Sequence, residues 1–184
     1  IEKAEIALAV QKPTENLNAY EQYLRGLGQF FQFTKQGHQK SLPLFLKAAE
    51  LDPEFALAYA GQASWYISGK AFAWIDIGEV EMRRAEHVAR EALRLGNDDP
   101  RVLAYAAQAL TYVVMKVDEG AGLLARAVEL DPPWRPLASF NAVVALARQR
   151  TPGRPWRDAA LATACSPAGD SGDIAHRTAR RGLA

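Results

Sequence analysis

One cysteine, Cys165, stands alone among 184 residues, so no internal disulfide can form. Packing must supply the stability, and a reducing, cytoplasmic setting is expected. Histidine is nearly as scarce. His38, His87 and His176 are scattered, without a second ligand at metal spacing, so each reads as solvent-exposed or locally bonded. No Gly-rich phosphate cradle occurs; Gly120-Ala-Gly122 is too short and falls within an expected helix. Cys165 has no basic cluster near it in sequence, which argues against a catalytic thiol. No apolar run reaches the roughly 18 residues of a membrane span. The first ten residues carry Glu2, Lys3 and Glu5 and lack a secretory pattern. Charge excess is missing too. A net charge of +1 demands neither nucleic acid nor an anionic membrane as partner. With no clustered acid, base, nucleophile or metal set, the expectation is a non-enzyme without cofactor or metal.

What the chain does have is apolar content, 49% of its residues, and internal repetition. Glu50-Leu-Asp-Pro53 returns as Glu129-Leu-Asp-Pro132. Ala58-Tyr-Ala-Gly-Gln-Ala-Ser-Trp-Tyr66 returns as Ala104-Tyr-Ala-Ala-Gln-Ala-Leu-Thr-Tyr112. Self-similarity of this kind marks stacked helical repeats. In order, residues 1–13 read as a connector helix ended by Pro13, and the initial Ile reads as the start of an excised piece. A helix rich in aromatics is expected over residues 18–33, with Gly37 as a break. The next helix is expected over 41–51, with Pro43 in its first turn. Two further pairs follow: 56–67 with 79–95, and 101–117 with 118–130. Gly69–Gly78 is a long connector between the helices of the second pair. An extra amphipathic helix is expected over 137–148, closing a repeat domain of residues 14–148. Residues 149–184 read as a poorly specified Arg/Pro/Gly-rich tail, with a short helix at 156–164.

Small residues mark where helices approach closely: Ala60, Gly61 and Ala63 in one unit, Ala106, Ala107 and Ala109 in the next. Tyr59, Tyr66, Tyr105 and Tyr112 fill the space between units. These residues resemble the tetratricopeptide repeat, a 34-residue helix pair. The first-helix matches are Tyr59, Gln62-Ala63 and Tyr66, then Tyr105, Gln108-Ala109 and Tyr112. Ser41, Phe45, Ala48 and Pro53 match the second helix. Gln62 and Gln108 depart from the expected leucine. The spacing from Ala58 to Ala104, 46 residues, exceeds the family's, and the excess falls in the Gly69–Gly78 connector. More narrowly, Lys12-Pro-Thr-Glu-Asn-Leu-Asn-Ala-Tyr20, Tyr23-Leu-Arg-Gly26, Leu51-Asp-Pro53 and Ala58-Tyr-Ala-Gly61 resemble a bacterial repeat region. It is the C-terminal repeat region of regulators that carry class III adenylate/guanylate cyclase or winged-helix domains. The resemblance implies an all-α, right-handed, tetratricopeptide-like stack of about three antiparallel pairs plus an extra helix. It also implies a scaffold or interaction domain in bacterial signal transduction, whose partner is a protein or peptide segment or an attached domain. The alternatives are a regulatory fragment of a cyclase or a dimerisation spacer.

Two sets of candidate contact residues follow. Leu57, Ala60, Ser64, Leu103, Ala106 and Leu110 would line a small, apolar partner-binding groove, with Gln62 and Gln108 as its polar members. For the two glutamines the competing reading is a bond to a carbonyl on a neighbouring helix. Phe72 and Trp74 in the long connector would either anchor a partner or fold back over the helix pair. The arginines Arg83, Arg84, Arg90 and Arg94 read as a solvated face paired with Glu79, Glu86 and Glu91 at helical spacing. Asp98-Asp99 reads as a turn with a capping carboxylate.

Overall fold

The computed structural model describes residues 16–131, and these are helical throughout apart from caps and turns, with no strand among them. Six α-helices follow in order: α1 (Leu17–Phe30), α2 (Lys35–Leu51), α3 (Ala56–Ala71), α4 (Glu79–Leu95), α5 (Pro100–Gln108) and α6 (Val117–Leu130). A π turn, Ala109–Val113, continues α5. The expected connector helix, the extra helix over 137–148 and the Arg/Pro/Gly tail lie outside the described residues.

Capping chemistry sets several starts. Asn16 accepts from the amides of Asn18 and Ala19 while its own amide donates to Leu51 O at 2.7 Å. It thus ties the start of α1 to the end of α2. Thr34 caps α2 through Gly37 N–H, and Asp99 caps α5, with Pro100 in the first turn where a missing donor costs little. Helix ends meet in the antiparallel sense at the other end as well. A side chain on Gly37, early in α2, would strike Gln29 O near the end of α1.

Four sequence expectations are corrected here. Gly37 does not break the chain but lies inside α2, which begins at Lys35. Pro43 consequently sits in the helix interior rather than its first turn. Gly69 likewise lies within α3, which runs on to Ala71. Both glycines are there because a Cβ would collide: at Gly37 with backbone, at Gly69 with Ile75 at 2.6 Å. The helix expected over 101–117 is also broken, into α5, the π turn and a bend before α6.

The core is shared between pairs. Phe45 of α2 is fully buried, and two glycines make its slot. A Cβ on Gly26 of α1 would come within 2.6 Å of the ring, and one on Gly61 of α3 within 2.8 Å. Tyr23 and Phe55 close around it, with ring centroids 5.9 and 5.3 Å apart along the series Phe45–Tyr23–Phe55. The small residues expected at close contacts are buried there: Ala60, Ala63, Ala106 and Ala109 are 0–1% exposed. Tyr59 and Tyr105 are both half-buried against the main core. A smaller cluster, Leu103, Ala104, Ala107, Leu124 and Ala127, joins α5 to α6. Gly120 permits that approach, since any side chain there would run into Thr111 Oγ1 and Ala107 O.

Candidate functional site

The densest chemistry lies where α2, α3 and the connector after α3 meet. His38 is 1% exposed. Its ring stacks on Trp65 at 4.4 Å and 13°. The two residues exchange hydrogen bonds across the helices. His38 Nε2–H donates to Trp65 O at 2.9 Å, and Trp65 Nε1–H donates to His38 O at 2.8 Å. Donation from Nε2 fixes the neutral tautomer, so Nδ1 is the bare nitrogen; it is buried and has no hydrogen-bond partner. Burial holds the His38 pKa below its ordinary value, against the opposing pull of the Trp65 carbonyl.

The connector folds onto this pair. Trp74 N–H donates to Gly69 O at 2.8 Å and Ala73 N–H to Lys70 O at 3.3 Å, the paired bonds of a Schellman ending. Ala73 takes the left-handed position, φ 53°, that glycine usually fills. The Trp74 ring is half-buried and lies 5.1 Å from His38. Phe72 stacks on Trp74 at 4.6 Å and stays 52% exposed. The two expected connector anchors thus divide the work. Trp74 covers the helix pair, and Phe72 presents an apolar face to solvent.

The eight groove residues are corrected. Leu57, Ala60, Gln62, Ser64, Leu103, Ala106, Gln108 and Leu110 are all buried, between 0 and 8% exposed, so their side chains line no open groove. The physical reason is that both helices are enclosed: α3 packs on α1, α2, α4 and α5 at once, and α5 with its π turn packs on α3, α4 and α6. Ser64 Oγ–H donates to its own helix, to Gly61 O at 2.7 Å. Gln62 Nε2 is buried without a hydrogen-bond partner, so the bond to a neighbouring carbonyl is not made there.

Charge gathers on a different face. Arg83 pairs with Glu79 at 3.3 Å, Arg90 with Glu86 at 3.2 Å and Arg94 with Glu91 at 2.9 Å, all along α4 as the spacing predicts. Arg90 also reaches across to Glu119 of α6, through two bonds of 2.6 and 3.0 Å, and Lys116 pairs with Glu86. These cations hold the Glu86 and Glu119 carboxyls below the usual range, Lys116 foremost at Glu86 and Arg90 at Glu119. At Asp99 burial pushes the carboxyl up, yet Arg101, through its side chain and its amide, leaves it lower than usual.

His38 was the residue that spacing alone understated. It shares a helical stripe with Ser41, Phe45 and Ala48, which are all fully buried. That stripe was the available signal. Among the described residues no group of three or more His, Cys, Asp or Glu is placed to hold a metal, and no helix is long and apolar enough to cross a membrane. No protein-family model matches the chain, and no curated protein matches it.

Proposed function

We propose that the chain is a non-catalytic interaction and scaffold domain of a bacterial signalling or transcriptional regulator. It is built as a tetratricopeptide-like, right-handed stack of antiparallel helix pairs and works in the cytoplasm. One observation carries the reading: Phe45 is held at once by Gly26 of its own pair and Gly61 of the next. A unit that borrows its neighbour's surface in this way has no complete core alone, which is the logic of repeat stacks. Such stacks serve chiefly by offering a rigid surface to another protein. The exposed Phe72, backed by Trp74, is the contact we assign to a protein or peptide segment or to an attached domain.

The test is binding between the isolated chain and the domain adjoining it in its parent protein, with Phe72→Ser as the variant. Loss of this half-exposed ring should weaken binding about tenfold and leave the melting midpoint nearly unmoved. Unchanged affinity removes the turn as the contact. Conversion of ATP or GTP to a cyclic product by the isolated chain removes the non-catalytic reading.

A further inference from the structure

Helix α1 buries only one side, through Ala19, Tyr23 and Gly26. Away from that side, Leu17 and Leu24 of α1 and Phe31, its C-cap, recur every seventh residue and remain 60, 47 and 52% exposed. Seven residues are nearly two helical turns, with a drift of about 20°, so the three form one stripe. Gly28 adds an opening, for nothing lies within 4 Å of where its side chain would begin. Glu21 and Arg25 form an exposed ion pair at 3.4 Å alongside.

The stripe is symmetric about Leu24, with one large apolar residue seven positions to either side. A second copy of α1, antiparallel and related by a two-fold axis at Leu24, sets Leu24 on Leu24 and Leu17 on Phe31. The same operation brings Glu21 of each copy toward Arg25 of the other, so acid meets base. Gly28 leaves room for the helices to close. A two-fold contact uses one patch twice and must therefore be self-complementary in shape and charge. This patch is. We propose that α1 forms a homodimer contact with the α1 of a second copy of this chain, through Leu17, Leu24 and Phe31. The inference does not rest on the regulatory reading above, since Phe72 and Trp74 play no part in it.

The experiment uses the full chain with Cys165→Ser. Light scattering over a concentration series should show a dimer. Leu24→Glu should raise its dissociation constant by about thirtyfold or more. Glu21→Arg should weaken it, and adding Arg25→Glu should restore it. Because Leu24 sits on the axis, Leu24→Cys should cross-link to itself on mild oxidation. Leu46→Cys on α2, 44% exposed, should not. A monomer at every concentration overturns the proposal, as does cross-linking at Leu46→Cys as fast as at Leu24→Cys. A monomer whose introduced thiol at position 24 resists labelling overturns it too, and assigns the stripe to another segment of the same chain.

Discussion

Successive pairs meet through several contacts, and two of those in the described chain are made of opposite materials. Between α2 and α3 the joint is dry. Phe45 fills a slot cut by two glycines, and the buried His38 exchanges hydrogen bonds with the half-buried Trp65. Between α4 and α6 the joint is wet. Four side chains, Glu86, Arg90, Lys116 and Glu119, are each 28–44% exposed and meet through ion pairs. Burial of apolar area is worth far more than exposed charge. The dry joint should therefore set whether the first two pairs fold as one, whereas the wet joint adds to the buried α3–α5 and α4–α5 contacts that already hold the second pair to the third. The difference also fixes what each joint responds to first: mild acid for one, salt for the other.

Removing the ring from the dry joint is the harshest way to break the comparison. Phe45→Ala empties a fully buried slot whose glycine walls cannot supply side chains to refill it. A loss of about 3–5 kcal/mol is expected in urea melts. A loss below about 1 kcal/mol would mean the slot collapses freely, and the dry joint would then not be the stronger.

Overfilling probes matching positions in the two halves. Ala63 and Ala109 are repeat counterparts, and both are fully buried. Ala63→Phe and Ala109→Phe should each cost about 1–3 kcal/mol through overpacking. Ala109 opens the π turn, so a cost at Ala63 with none at Ala109 would show that the irregular turn yields where the regular helix does not.

The recurrence of small residues made these contacts legible before any coordinates. So did Ser41, Phe45 and Ala48, through their match to the second helix of the repeat. The groove was misread because small apolar residues look alike whether they floor a cleft or meet another helix. What decides is the number of helices around α3 and α5, and no local pattern encodes that. Glycine carried the same ambiguity. Gly37 and Gly69 read as breaks, yet both serve close approach inside helices. His38 stayed hidden because its partner, Trp65, is 27 residues away. The π turn left no sequence signal at all. At α4 every pairing along the helix followed from i,i+3 and i,i+4 spacing, but the reach of Arg90 to Glu119 needed the fold.

Acid should act on the dry joint at milder pH than on the wet one. The unfolded chain protonates His38 near its ordinary value of 6.5, whereas burial depresses the folded value. The unfolded state thus binds more protons just below pH 6.5, and the folded state loses stability as pH falls through that window. Above it the contribution is complete. Glu86 and Glu119 are also depressed, but from 4.5, so their contribution fades only at lower pH. His38→Gln keeps an N–H donor without the titration. The melting midpoint of this variant should flatten below pH 6.5 relative to the parent chain. An equally steep decline would clear His38 and move the sensitivity elsewhere.

The smallest effect belongs to Arg90, and it is the sharpest discriminator of the two joints. Arg90 holds two carboxylates, Glu86 along its own helix and Glu119 on α6. Arg90→Ala leaves Glu86 with Lys116 but takes the paired bonds from Glu119. Exposed pairs are worth about 0.2–1 kcal/mol, and the bidentate geometry favours the upper part of that range. The loss should shrink in concentrated salt, where the screening length falls to about 3 Å at 1 M. Phe45→Ala should cost the same at either salt concentration, because no charge is involved. Arg90→Ala combined with Glu119→Ala should cost less than the sum of the single changes, since the second removes an acid the first has stranded. If the Arg90→Ala loss ignores salt, the arginine's aliphatic stem rather than its charge carries the contact. The α4–α6 joint would then be a packed seam like the other.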